Sequence, residues 1–152
     1  MTKIIIRNRK SIEQMTFAPN TALISIADYD DSFANLKDKP AYILQIAFDD
    51  IDNDVFIDEL GRIPNEEERH EIEEKYHMLT DEQAKEIADF YHSIQDKAEI
   101  IICQCEHGQS RSAAIAAAIL EYKCRKGIVV FADDRYYPNK TIFKKVLKAI
   151  KG

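Results

Sequence analysis

The chain has 152 residues, 45% of them hydrophobic, and a formal net charge of −6 at pH 7. That length suits one domain with a real core, and the apolar content excludes a disordered chain. The negative balance excludes a general nucleic-acid binder and adhesion to an acidic membrane surface.

Residues 3–7 and 21–27 are β-branched apolar runs and predict strands. Between them, residues 11–16 suit a short helix behind a serine cap. Residues 28–36 are polar, with a paired Asp30 and Asp31, and predict a loop. Pro40 punctuates, and residues 41–48 form the next strand. Residues 49–65 are acidic and irregular, with Gly61 and Pro64 as breakers. A helix follows Pro64, because Ile72, Tyr76 and Leu79 fall at i, i+4 and i+7. Thr80, Asp81, Glu82 and Gln83 have capping-box spacing and open another helix, running to about Gln95. Its inner face is Ala84, Ile87, Ala88 and Tyr91.

A strand at 99–104 is followed by a polar loop and an alanine-rich helix from Ser112 to about Lys126. Residues 128–131 are apolar, and their state is left open by pattern alone. Asn139 caps a last helix with Ile142, Phe143, Val146, Leu147 and Ile150 inward. Lys140, Lys144, Lys145, Lys148 and Lys151 make its wet face. Strands alternating with helices predict one α/β domain over 1–152, with a mostly parallel central sheet flanked by helices. The first ten residues hold only the apolar run Ile4 to Ile6, too short for a signal-peptide core, and no stretch could span a bilayer. Three cysteines make no disulfide framework, which suits a reducing compartment. A cytoplasmic location is expected.

The stretch from Ile100 to Ala114 carries the chemistry. A loop joining a strand to a helix N-terminus aims several backbone N–H groups at one point, which makes an anion site. Cys105 opens the loop, and a thiolate there is a nucleophile aimed at whatever the loop holds. Arg111 closes it with a two-pronged grip suited to phosphate oxygens. Gly108 lets the backbone turn inward with no side chain blocking the anion. Glu106, His107, Gln109 and Ser110 complete the loop as its substrate-binding rim. Cys103 lies two residues before Cys105 on the same strand face and is read as core rather than as a redox partner. Cys124 is read as core too.

The order C-x-x-G-x-x-R-S, from Cys105 to Ser112, resembles the phosphate-binding loop of the cysteine-dependent protein tyrosine phosphatases, and most closely their small dual-specificity branch. The resemblance covers most of the chain. It implies hydrolysis of phosphate monoesters, most readily phosphotyrosine on proteins or a small phosphate monoester, through a cysteinyl-phosphate. No cofactor and no metal are implied, and no zinc-type ligand spacing is present. Ser112 would help the sulfur leave in the second step. Such relatives carry histidine just before the nucleophile, where this chain has Gln104, which can bond neighbouring backbone but carries no positive charge.

Transfer from an alcohol or phenol needs an acid for the leaving oxygen. The resemblance puts it on the loop after an earlier strand, where Asp50 takes the family's position. Asp49 is the runner-up, and Asp52 and Asp54 follow. The stretch from Asp50 to Cys105 is longer than in small relatives, with the extra residues at 53–79. Six glutamates between Asn65 and Lys75 are read as a solvated helix face, the sharper alternative being a lid or partner surface. Two rivals to the phosphatase reading stay open: a rhodanese-type sulfurtransferase and a non-catalytic phosphate-binding module. The loop lacks the lysines expected for phosphoinositides.

Overall fold

The isoleucine-rich runs form four strands: β1 (Lys3–Asn8), β2 (Thr21–Ala27), β3 (Tyr42–Ala47) and β4 (Ile100–Cys105). In the computed structural model, which describes residues 2–152, they make one sheet in the order β1-β4-β2-β3. Every pairing is parallel. The α/β class therefore stands, with a sheet parallel throughout.

Period-two alternation sends successive side chains to opposite faces. Ile101, Cys103 and Cys105 of β4 join Ala22, Ile24 and Ile26 of β2 in the main core. Ile102 and Leu23 face the other way, against Ile12 and Ala34. The main-core face is covered by α4 (Asp81–Ile94), α5 (Arg111–Cys124) and α7 (Lys140–Lys151). The second face has only the short α1 (Arg9–Gln14) and the 28–41 loop. The sheet is thus covered on both faces, but by a helix layer on one face only.

α5 lies between the sheet and α7, and residues 113–119 are all at 0% exposure. A helix buried all round must be apolar all round, and small alanines let neighbours approach closely. α4 starts behind Thr80 with both bonds of the capping box, and Ala84, Ile87, Ala88 and Tyr91 are buried as expected. Asn139 caps α7 by accepting from the Ile142 N–H. Ile142, Val146 and Ile150 are buried, while Phe143 and Leu147 pack at the margin.

Several expectations need correction. α1 begins earlier than the serine cap suggested, because Asn8 accepts from the Ser11 N–H and takes the cap. The irregular 49–65 stretch contains α2 (Asp54–Leu60), ended by Gly61 in the left-handed region at φ 68°. α3 (Glu66–Lys75) follows with its own capping box from Asn65 and Glu68. Residues 128–131 form one helical turn, α6 (Ile128–Phe131). Cys124 is exposed, because α5 has run past the sheet by its last turn.

The solvated reading of 65–75 fails at Glu73, which is 4% exposed and paired to Arg69 at 3.1 Å and Lys145 at 2.5 Å. Lys145 also donates to the Leu79 carbonyl, so it leaves the wet face of α7 to anchor the insert. Among the described residues, no helix is long and apolar enough to cross a membrane.

Candidate active site

The four parallel strands end on one side, where the loop after a strand meets the start of a helix. β4 delivers Cys105 there, buried at 2% exposure. Six residues later Arg111 opens α5, one residue before the expected start. No protein acceptor among the described residues takes a hydrogen bond from the backbone N–H groups of 107–110. Together with the unpaired first turn of α5, these donors form a site ready for an anion. Ser112, in that first turn, has its Oγ 3.1 Å from Cys105 Sγ. Either atom can be the donor in that contact.

Gly108 sits at φ 66°. A Cβ there would come within 2.8 Å of the Asn8 nitrogen and 2.9 Å of the Arg7 carbonyl carbon. The glycine is therefore required by the end of β1 pressing on the loop, rather than by clearance for the anion as its sequence position suggested. Glu106 is likewise turned toward that edge: its carbonyl accepts from the Arg9 N–H, and its carboxylate lies 3.6 Å from the Arg9 guanidinium. His107 and Gln109 are exposed.

Arg111 is buried at 5% exposure. Its Nη1 donates to the Phe48 carbonyl at 2.9 Å and pairs with Asp28 Oδ1 at 2.7 Å. Among the described residues, Nε and Nη2 have no bonded acceptor, so one edge of the guanidinium is free for two oxygens.

The two adjacent aspartates at the exit of β3 part company. Asp49 Oδ1 accepts from the Tyr29 N–H at 2.9 Å, and its own N–H donates to the His77 carbonyl at 2.8 Å. Tyr29 and His77 stack face to face at 3.5 Å beside it. Asp50 Oδ1 accepts instead from Ser110 Oγ at 2.8 Å and Asn139 Nδ2 at 2.9 Å. Asp50 is thus the aspartate of this stretch in contact with the Cys105 loop. Ser110, expected to face the substrate, gives its hydroxyl to Asp50. Asp52 Oδ1 accepts from the Asp54 N–H at the start of α2.

Gln104 is buried at 1% exposure, and its Oε1 accepts from Ser25 Oγ at 2.5 Å. Its partner is thus a side chain on the neighbouring strand rather than the backbone that was expected. Burial, and secondarily the neighbouring Cys105, pushes the Cys103 thiol up to about 12. Among the described residues, no cluster of three or more metal-ligating side chains occurs.

Sequence reasoning missed Asp28 and the second role of Asn139. Asp28 follows β2, which lies beside β4; a parallel sheet gathers strand ends, but that adjacency is a matter of sheet order. No family model matches this sequence. No curated protein matches it either. Among solved structures, the chain is similar to one described as the crystal structure of PTPMT1, with a TM-score of 0.47 and 10% identity over 98% of this chain and 90% of that one.

Proposed function

We propose that this chain hydrolyses phosphate monoesters as a cysteine-dependent protein tyrosine phosphatase of the small dual-specificity type. The observation that carries this reading is one juxtaposition. A cysteine bonded to a serine hydroxyl, a buried arginine with a free edge and a carboxyl docked on the same loop surround one set of unpaired backbone N–H groups.

In this reading Cys105 attacks phosphorus in line as the thiolate. The bond from phosphorus to the leaving oxygen breaks as Asp50, in its acid form, gives that oxygen a proton. The loop amides and Arg111 hold the phosphoryl oxygens as charge shifts among them. Asp50, now a carboxylate, takes a proton from the water that cleaves the cysteinyl-phosphate. Ser112 stabilises the departing sulfur, and inorganic phosphate leaves. A sulfurtransferase would have no use for an acid at Asp50.

Steady-state hydrolysis of an aryl phosphate by wild type and Cys105→Ser tests this. The serine hydroxyl stays protonated near neutral pH, so turnover should vanish while vanadate still binds the loop amides. Near-wild-type turnover in Cys105→Ser removes Cys105 from the mechanism. A wild type that binds phosphate without turnover is the non-catalytic module, and one that transfers sulfur from thiosulfate to cyanide without phosphatase activity is the sulfurtransferase.

A further inference from the structure

We infer that Asn139 is a positioning residue for Asp50, and that the cap of α7 thereby sets which carboxyl oxygen carries the transferable proton. The inference rests on the phosphatase reading above. Asn139 is 7% exposed and uses every part of its amide. Its Oδ1 accepts from the Ile142 N–H at 3.0 Å and caps the helix. Its Nδ2 donates to Asp50 Oδ1 at 2.9 Å and to the Ile51 carbonyl at 3.2 Å. Its backbone N–H donates to the Ser110 carbonyl at 3.3 Å, and the Tyr137 N–H donates to the Gln109 carbonyl at 2.8 Å. One residue therefore ties the acid loop, the Cys105 loop and α7 together.

Both donors on Asp50, Ser110 Oγ and Asn139 Nδ2, fall on the same oxygen, Oδ1. A protonated carboxyl has one O–H and must accept with its other oxygen. Two donors on Oδ1 leave the proton on Oδ2, which is free of the clamp. An acid whose proton sits on a fixed oxygen needs no side-chain rotation at the moment of transfer, which is the geometric requirement of general acid catalysis.

The charged groups around this carboxyl are Asp49 before it, Asp52 on its own loop, Asp54 on α2, and Lys140 and Lys144 on α7. Arg111 of α5 bonds the Phe48 carbonyl two residues upstream. Asp50, Asp52, Asp54, Lys140 and Lys144 line one cavity of about 480 Å³ together with Ser110 and Asn139. Among the described residues, the bonded partners of the Asp50 carboxylate are the two neutral donors.

Two substitutions separate positioning from capping, because serine and aspartate cap helices about as well as asparagine. Asn139→Ser keeps the cap and removes the donor to Asp50. It should lower kcat for phenyl phosphate by roughly tenfold, since small misplacements of a catalytic group cost up to about a hundredfold. With dinitrophenyl phosphate, whose leaving group needs no proton, kcat should change by less than about twofold. Asn139→Asp keeps the cap and sets a second carboxylate against Asp50. Like charges resist ionising together, so the falling limb of the kcat–pH profile should move to higher pH by about one unit.

Thermal melts of both variants should stay close to wild type. Equal losses on the two esters in Asn139→Ser, or an unmoved falling limb in Asn139→Asp, overturn the inference. Melts that fall sharply while the leaving-group dependence stays that of wild type also overturn it, assigning Asn139 to capping alone. A wild type without aryl phosphatase activity fails the underlying reading instead, and the control assay in the same series shows which has failed.

Discussion

The stretch from β4 through the Cys105 loop to α5 and the insert that holds α2 and α3 are built on different forces. The first is apolar and close-packed: Ile101, Cys103 and residues 113–119 are all at 0% exposure. Its buried polar side chains each have an assigned partner, Ser112 on Cys105, Gln104 on Ser25 and Arg111 on Asp28. The second has a small core of its own, Phe56, Ile72 and Met78, apart from the main one. It is fastened by ion pairs, Glu73 to Arg69 and Lys145, Lys75 to Glu59, and Arg62 to Glu68. Rigid packing suits a site that must hold donors within a fraction of an ångström. Ion pairs hold a segment in place while leaving its stability open to salt and pH.

The comparison breaks most severely at the edge of the first region, on Asp50. Asp50→Asn should slow hydrolysis of phosphotyrosine by roughly a hundredfold, the lower end of what general acid catalysis supplies. An activated ester such as dinitrophenyl phosphate should slow far less, and the falling limb at higher pH should flatten. Asp49→Asn keeps an oxygen that can accept from the Tyr29 N–H and removes only the charge, so stability should change by less than about 1 kcal/mol, with equal, small effects on both esters. Leaving-group dependence in Asp49→Asn, and none in Asp50→Asn, would mean that the acid role belongs to the residue outside the loop contact.

How far the sequence could be read differs between the two regions in the same way. The Cys105 loop and its helix were legible because strand, glycine, arginine and alanines stand at fixed spacing over 15 consecutive positions. α4 and α7 were legible through Thr80 and Asn139, because caps are local chemistry. Asp28 was illegible: it reaches Arg111 only because β2 lies beside β4, a long-range pairing that no local pattern encodes. The burial of Glu73 was equally hidden, since its partner Lys145 is 72 residues away and shares the spacing of a solvent-facing lysine. α2 was concealed by Gly61 and Pro64, which mark its end and the start of the next element rather than a long loop.

A smaller effect sharpens the contrast from the side of the insert. Lys145 is 16% exposed and Glu73 5% at the side chain, so Lys145→Met leaves a mostly buried carboxylate with Arg69 alone. Breaking a buried pair by removing one partner costs on the order of 3 kcal/mol. For a domain of this size that is a fall in Tm of roughly 6–12 °C. Turnover per folded molecule at 25 °C should stay near wild type, since neither residue touches the Cys105 loop. A Tm within about 2 °C of wild type would mean that the small apolar core holds the insert without the charges.

The smallest expected effect lies back in the first region, at Cys103. Its thiol is fully buried in the main core, and burial pushes it up to about 12. A raised value leaves the group protonated throughout the range below it, so at pH 8 it is almost entirely thiol. The thiolate is the species that reacts with alkylating agents and peroxide. Iodoacetamide at pH 8 should therefore label the exposed Cys124 readily and leave Cys103 unmodified in the folded protein, with full labelling after denaturation. Cys103→Ala should cost about 1–2 kcal/mol, the transfer and cavity terms of one small side chain, and leave kcat unchanged. Under mild peroxide, peptide mapping should find no bond between Cys103 and Cys105. Recovery of such a disulfide, or peroxide protection that disappears in Cys103→Ala, would turn Cys103 from a packing residue into a redox partner of the loop it supports.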